Sequence, residues 1–217
     1  MSQAAAELYD RRANLYEGFF VRLLGFGARV RRWCAQHVQL RAGLRVLDAA
    51  CGPGTFTKAL VELAREQNVE ITLHAFDISQ RQVDKLQTWV DTQHLTTVQV
   101  RRGDLVAASA PVATALPADW RNFDLIVCGY ALEHVAPEQV PTALANLYAR
   151  LAPHGRLVVS VTQQTPLTAW LVGRWWHARL LYVRAGAPGL AAAHLPVPTL
   201  SRLGTSRSIV AEVRRAG

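Results

Sequence analysis

The sequence predicts an α/β protein built on a doubly wound, mostly parallel sheet. Two observations carry this. Short β-type runs alternate with helical stretches through the middle of the chain, and the first run ends in a glycine-rich turn that opens directly into a helix. Strand, helix, strand at this rhythm gives parallel βαβ units, because a parallel return needs a crossover long enough to hold a helix.

Taken in order, Arg45-Val46-Leu47-Asp48 reads as a buried strand closed by the turn Gly52-Pro53-Gly54. A helix follows from Thr55 to Glu66, with Leu60, Leu63 and Ala64 on one face. Glu70–Phe76 is the second strand, followed by a helix through Val83, Leu86, Trp89 and Val90. Thr97–Val100 is the third strand, Phe123–Cys128 the fourth, and a helix over Pro137–Leu151 comes next. Gly155 punctuates the turn into the fifth strand, Leu157–Val161. The ends differ. From Leu15 to Val38, apolar Tyr16, Phe19, Phe20, Leu23, Leu24, Val30 and Trp33 recur at helical spacing among arginines, with a break expected at Gly25 and Gly27. From Leu167 to Tyr182 the run is again aromatic and basic, with Trp170, Arg174, Trp175, Trp176 and Arg179. Such a basic amphipathic helix either lies in a lipid headgroup layer or packs on the sheet as a lid over a pocket.

A chain of 217 residues, half of them hydrophobic, suits one domain with a packed core and excludes a disordered one. Cys34, Cys51 and Cys128 are odd in number and form no C-x-x-C pair. Neither a disulfide scaffold nor a structural zinc site is expected, and a reducing cytoplasm fits. No apolar run follows Met1, so no secretory signal is expected, and no stretch is long and apolar enough to span a membrane. The net charge of +8 is concentrated at the ends: +5 over residues 1–45 and +6 over 165–217, against −3 between them. This points to an anionic partner for the ends, or else reflects codon usage that favours arginine.

The turn Asp48-Ala49-Ala50-Cys51-Gly52-Pro53-Gly54 carries the most chemistry. Small residues there let backbone approach a ligand just before a helix N-terminus, although such turns also close βα units that hold no ligand. Asp77 ends the second strand, placed either as a ribose-binding carboxylate or as a cap for the next helix, where Ser79 offers another cap. Gly103-Asp104-Leu105 closes the third strand. Three successive strands thus end in Asp on the ligand-binding edge of the sheet. A nicotinamide site of the Gly-x-Gly-x-x-Gly kind would need glycine where Thr57 stands.

These residues resemble the class I S-adenosylmethionine-dependent methyltransferases, nearest in flavour to the quinone-biosynthesis type. The matching pieces are Val46-Leu47-Asp48-x-Ala50-x-Gly52-x-Gly54, Phe76-Asp77-Ile78-Ser79, Gly103-Asp104-Leu105, Phe123–Val127, Leu132-Glu133-His134-Val135 and Leu151-x-Pro153-x-Gly155-Arg156-Leu157. The opening Tyr9-Asp10-Arg11-Arg12-Ala13 resembles the entry segment of this type. The resemblance implies a seven-stranded Rossmann-like sheet over residues 44–217. Its last strands would fall near Leu190–Leu195 and Ser206–Val213, with N-terminal lid helices over 1–43 and a helical substrate-side insertion at 162–187. It further implies that Gly52 and Gly54 pass under the amino-acid end of S-adenosylmethionine and that Asp48 sits beneath it. Asp77 would take the ribose hydroxyls, Ile78 and Leu105 would pack on the adenine, and Asp104 would accept its amino group. Cys128 would line the cofactor by its backbone. Ala50 replaces the first glycine of the usual pattern.

Methyl transfer from a sulfonium is an in-line displacement with an activated leaving group, so proximity supplies most of the catalysis and a base is optional. His134 is a candidate base for a phenol or enol, or a histidine that orders the backbone. Tyr130 either hydrogen-bonds substrate or fills the pocket mouth, and it stands where some quinone O-methyltransferases carry a metal-binding Glu, so no metal is expected. The Asn/Asp-Pro-Pro-aromatic signature of base-amino methyltransferases is absent, which argues against N-methylation of DNA adenine or cytosine; nucleic acid stays open as a partner of the arginine-rich ends, but no RNA-binding module is evident and it is not the expected one. The expectation is a cytoplasmic enzyme that methylates a small lipophilic acceptor (a quinone, prenylated phenol or lipid) and touches the inner membrane surface peripherally. Two alternatives stay open: non-methyl chemistry with the same cofactor, of the rhodoquinone-forming kind, and a non-catalytic cofactor-binding partner protein.

Overall fold

The computed structural model describes residues 25–106, 115–162, 199–202 and 208–217. In chain order these form α1 (Phe26–His37), β1 (Leu44–Ala49), α2 (Thr55–Glu66), β2 (Ile71–Asp77), α3 (Gln80–Thr92) and β3 (Val98–Arg102). Then come β4 (Phe123–Gly129), two short 3₁₀ turns (Leu132–His134 and Pro137–Gln139), α4 (Val140–Ala149), β5 (Leu151–Thr162), β6 (Thr199–Arg202) and β7 (Ser208–Arg214). The seven strands make one sheet in the order β3-β2-β1-β4-β5-β7-β6. Strands β1 to β5 pair in parallel, and β7 runs antiparallel to both β5 and β6. The doubly wound, mostly parallel seven-stranded sheet is therefore as expected.

Neighbouring residues of β1 face opposite layers, which is why its run is apolar throughout. Val46 joins Leu60, Leu73, Leu86 and Leu125 in a core beneath α1, α2 and α3. Leu47 joins Phe76, Trp120, Ile126 and Leu144 in a second core beneath α4. The helix over Thr55–Glu66 has the expected bounds, with Phe56, Leu60, Leu63 and Ala64 buried along one face.

Strands β1, β2 and β4 shift by one residue at one or both ends, and larger departures occur at four places. Strand β3 runs on through Arg101 and Arg102, which are exposed; an edge strand needs no apolar signal there. The helix expected over Pro137–Leu151 divides into a 3₁₀ turn and α4, with a proline in the first turn of each, where a missing N–H does no harm. Strand β5 already begins at Leu151, and Gly155 sits in a bulge within it: Phe123 faces Leu151, whereas Leu125 faces Arg156. A Cβ on Gly155 would meet the Phe123 carbonyl oxygen at 2.7 Å. Of the two C-terminal strands, Ser206–Val213 corresponds to β7, while Leu190–Leu195 lies outside the described residues and the edge strand is Thr199–Arg202.

The expected break at Gly25 is real. Gly25 has φ 60 and caps α1. This helix is built into the first core through Val30, Trp33 and Cys34. Its Arg31 pairs with Glu66 and, at 3.5 Å, with Glu62 of α2. Packing, not a lipid layer, therefore accounts for this part of the N-terminal amphipathic run. Residues 1–24 and the aromatic, basic run at 167–182 lie outside the described residues. Among the described residues no helix is long and apolar enough to cross a membrane.

Candidate functional site

The carboxyl ends of β1, β2 and β4 open into one cleft, with about 670 Å³ of empty space including its mouth. Clefts at this edge of an open α/β sheet are where such folds bind ligands. Its floor is the turn after β1, and the sequence folds there as it does because Asp48 holds the next helix. Buried Asp48 accepts from the Thr57 N–H at 3.0 Å and the Thr57 hydroxyl at 2.7 Å. Thr57 thus has a structural task at the very position where a nicotinamide fingerprint would require glycine. Burial pushes the Asp48 carboxyl up to about 6, against the pull of these two hydrogen bonds, and the charge of Asp77 adds to the rise.

The turn itself runs through left-handed backbone. Ala50 has φ 53, Gly52 φ 52 and Gly54 φ 82. Gly54 also lies so close to Leu86 of α3 that a Cβ would collide with that side chain. Asp77 is locked from both sides: one oxygen accepts the Gly52 N–H at 2.9 Å and the other the Ser79 N–H at 2.9 Å. Asp77 and Ser79 act together at the start of α3. Ser79 caps α3 by accepting the Gln82 N–H, and Asp77 fixes Ser79 while still lining the cleft.

The opposite wall comes from the end of β4. Gly129, Tyr130, Ala131 and His134 line it. Tyr130 sits at φ 58 with its N–H donating to the Ser160 carbonyl oxygen at 2.8 Å, so the turn out of β4 is pinned to β5. Burial lowers His134 to about 4, which leaves the imidazole neutral at neutral pH.

The structure therefore brings Asp48, Ala50, Gly52, Asp77, Tyr130 and His134 into one cleft. Gly54 stands behind the turn, and Ile78 lies beside Asp77, its carbonyl oxygen accepting from Arg102 Nε at 3.0 Å. Cys128 packs its side chain into the second core, and Gly129, one residue on, meets the cleft. Asp104 and Leu105 line a different hollow, shared with Leu116, Asn146 and Arg150, and Asp104 accepts the Val106 N–H at 3.1 Å. Burial raises all three thiols, Cys34 and Cys128 to about 12, so they serve as neutral packing groups. Among the described residues no group of three His, Cys, Asp or Glu is placed to hold a metal. Sequence reasoning missed Phe56, Gln82 and Gly129. Gln82 had a signal: it is a polar residue on a helix face otherwise occupied by Val83, Leu86 and Val90.

A model of the methyltransferase domain matches residues 46–155, the span from β1 to the bulge of β5. The chain belongs to this methyltransferase family. Ubiquinone biosynthesis O-methyltransferase of Xanthomonas euvesicatoria pv. vesicatoria (strain 85-10) is 32% identical over 143 residues, covering 64% of this chain and 53% of that protein. Carboxy-S-adenosyl-L-methionine synthase of Stutzerimonas stutzeri (strain A1501) is 26% identical over 121 residues, covering 54% of this chain and 44% of that protein. The chain spans about half the length of the curated relatives it matches. Magnesium protoporphyrin IX methyltransferase from Synechocystis PCC 6803, solved with S-adenosylmethionine bound, shares the fold with a TM-score of 0.58 at 19% identity, covering 88% of this chain and 78% of that one.

The methyltransferase cofactor is S-adenosylmethionine, and the cleft has features that fit it. The turn of small residues leaves the backbone of Gly52 bare, with nothing within 4 Å of where its Cβ would be. The start of α2, with Thr55 in the lining, presents the positive end of a helix dipole, which suits a carboxylate. The Asp77 carboxylate and the Gln82 amide oxygen, buried there without a hydrogen-bond partner, suit hydroxyl donors.

Proposed function

We propose that this chain is an S-adenosylmethionine-dependent methyltransferase acting on a small lipophilic acceptor, a quinone, prenylated phenol or lipid. The observation that carries the acceptor class is the 32% identity to an O-methyltransferase of ubiquinone biosynthesis. The apolar rim of the cleft, with Pro53, Phe56 and Ala131 beside Tyr130, is consistent with it.

In this reading the Gly52–Gly54 turn holds the amino-acid end of the cofactor, over Asp48, and Asp77 takes the ribose hydroxyls. The carboxylate is oriented before the ligand arrives, because two backbone N–H groups already fix its plane. Bound S-adenosylmethionine supplies a methyl group activated on a sulfonium. What this chain adds is alignment and exclusion of water, with Tyr130 and His134 orienting the acceptor from the β4 wall. A histidine lowered to about 4 by burial does not retain a phenolic proton at neutral pH. His134 therefore accepts a hydrogen bond and positions the acceptor, and the acceptor's proton passes to solvent through the mouth of the cleft.

The test incubates the purified chain with S-adenosylmethionine and a prenylated catechol, and reads the product by mass spectrometry. A gain of one CH2 on the acceptor is expected. Transfer of an amino group would overturn the methyl assignment in favour of non-methyl chemistry. Cofactor binding with no transfer to any quinone, phenol or lipid acceptor would favour a non-catalytic binding role.

A further inference from the structure

Behind the wall at the end of β4 lies a buried hydroxyl. Ser160 of β5 pairs with Gly129 and is 2% exposed, and its Oγ has no hydrogen-bond partner among the described residues. A buried polar atom left unpaired is unfavourable and calls for an explanation. Side chains alternate along a strand. Val159 and Val161 enter the second core and Val158 the first, so Ser160 faces the layer of α1, α2 and α3. It approaches the cleft at Gly129, where the wall has no side chain. A Cβ on Gly129 would lie 3.4 Å from Ser160 Oγ and 2.5 Å from the Phe56 ring, so the ring stands at the point from which the hydroxyl is reached. Phe56 itself lines the cleft. The same ring is met edge-on by Trp33, whose Nε1 is also buried and unpaired among the described residues.

The chemistry of the two groups defines what they await. An indole N–H only donates, and a hydroxyl donates as well as accepts, so a group that satisfies both is a hydrogen-bond acceptor. Both donors are uncharged, and a carboxylate buried against them would lose more hydration than they return. An uncharged oxygen is the fitting partner. The Ser160 carbonyl oxygen also holds the Tyr130 N–H, which ties this strand end to the wall that orients the acceptor, whereas the cofactor is assigned to the turns after β1 and β2. Resting on the acceptor reading above, we propose that Phe56 is a gate: when its ring turns aside, the cleft extends over Gly129, and Ser160 Oγ donates a hydrogen bond to a second ring oxygen of the acceptor. Trp33 Nε1–H is the further donor beside that ring. The result is selectivity for rings that carry two oxygens, a catechol or a hydroquinone, over a simple phenol.

The experiment is calorimetric titration of the full chain, saturated with S-adenosylhomocysteine, with a prenylated phenol and with its catechol and hydroquinone counterparts. Parent and Ser160→Ala are compared, alongside thermal melts without ligand. The parent is expected to bind one of the two-oxygen rings about three- to tenfold more tightly than the phenol, as one hydrogen bond between neutral groups gives. Ser160→Ala is expected to lose that preference, to bind the phenol and S-adenosylhomocysteine as the parent does, and to melt no lower, since it removes only an unpaired hydroxyl. That loss would itself require the Phe56 ring to have moved, because the ring stands between the cleft and the hydroxyl. A parent that binds all three rings alike overturns the inference alone. So does a variant that keeps the preference, which would leave the hydroxyl to an internal water. A variant that melts lower and binds all three more weakly overturns it too, by marking a structural role. Failure of the parent to bind any of the three overturns the acceptor reading as well. If Ser160→Ala does not fold, Ser160→Cys, which keeps the volume and weakens the hydrogen bond, is read in the same way.

Discussion

Asp48 illustrates how a single residue trades stability for a site. Burial raises its carboxyl to about 6 in the folded chain, against an ordinary aspartate value of 3.8. Between those pH values the folded chain holds a proton that the unfolded chain has released, so this group's contribution to stability falls as pH rises through the window. Above it the ionised, buried carboxylate costs on the order of 3 kcal/mol. Asp48→Asn keeps an oxygen for Thr57 and removes the charge. Urea unfolding of the parent and variant at pH 4, 5, 6 and 7 is expected to show the variant gaining steadily on the parent as pH rises, while its affinity for S-adenosylhomocysteine falls. A stability difference that does not change with pH would refute the account. At His134 the sign is opposite, since burial lowers it to about 4. A group that positions the acceptor without taking its proton tolerates replacement. His134→Gln is expected to lose no more than about tenfold in kcat at neutral pH, whereas loss of a true general base costs about 10²- to 10⁴-fold. Steady-state turnover against pH separates the two.

At the scale of elements, α1 acts on the cleft without lining it. Buried Trp33 meets Phe56 edge-on, with ring centroids 6.4 Å apart, and Phe56 lines the cleft and fills the space above Gly129. A Cβ on Gly129 would come within 2.5 Å of that ring. Trp33→Ala is expected to destabilise the fold by about 3–5 kcal/mol and to weaken cofactor binding by loosening Phe56; Trp33→Phe should recover much of both. Calorimetry and thermal melts read the two effects, and destabilisation with unchanged cofactor affinity would detach α1 from the site. Legibility in the sequence followed burial. Helix α2 was readable to its end residues because one apolar stripe and a glycine at its start delimit it. Strand β3 was cut short because its second half lies at the sheet edge and carries arginines. The bulge at Gly155 was legible only as a turn, because glycine signals left-handed or crowded backbone without saying whether pairing resumes on both sides. In the site, acids at strand ends stood out, and so Asp48 and Asp77 were found. Asp104 lies two residues beyond the end of β3 and faces another hollow, a difference set by the backbone after β3 that no residue type announces. Phe56 reads as an ordinary helix residue, and the polar interruption at Gln82 does not by itself say that it faces the turn after β1.

For the whole molecule, the question left by the charge distribution is what the basic ends meet. The +8 net charge arises at the termini, and the described part of the N-terminal run already employs Arg31 within the fold. A lipid surface would therefore have to be met by Arg22 and the aromatics before Gly25, or by the arginines and tryptophans at 167–182. A lipophilic acceptor gives such contact a purpose, since the substrate would be drawn from the layer on which the enzyme rests. Attraction between arginines and anionic headgroups decays over roughly 10 Å at 0.1 M salt, while indole rings bury in the headgroup layer independently of salt. The full chain is expected to float with vesicles containing phosphatidylglycerol at low salt, and to be partly released at high salt. Trp175→Ala with Trp176→Ala is expected to abolish the salt-resistant fraction. Binding to neutral vesicles as strong as to anionic ones would remove the role of the arginines. No flotation at low salt would remove the membrane from the proposal and leave the basic ends as a product of arginine-rich codon usage.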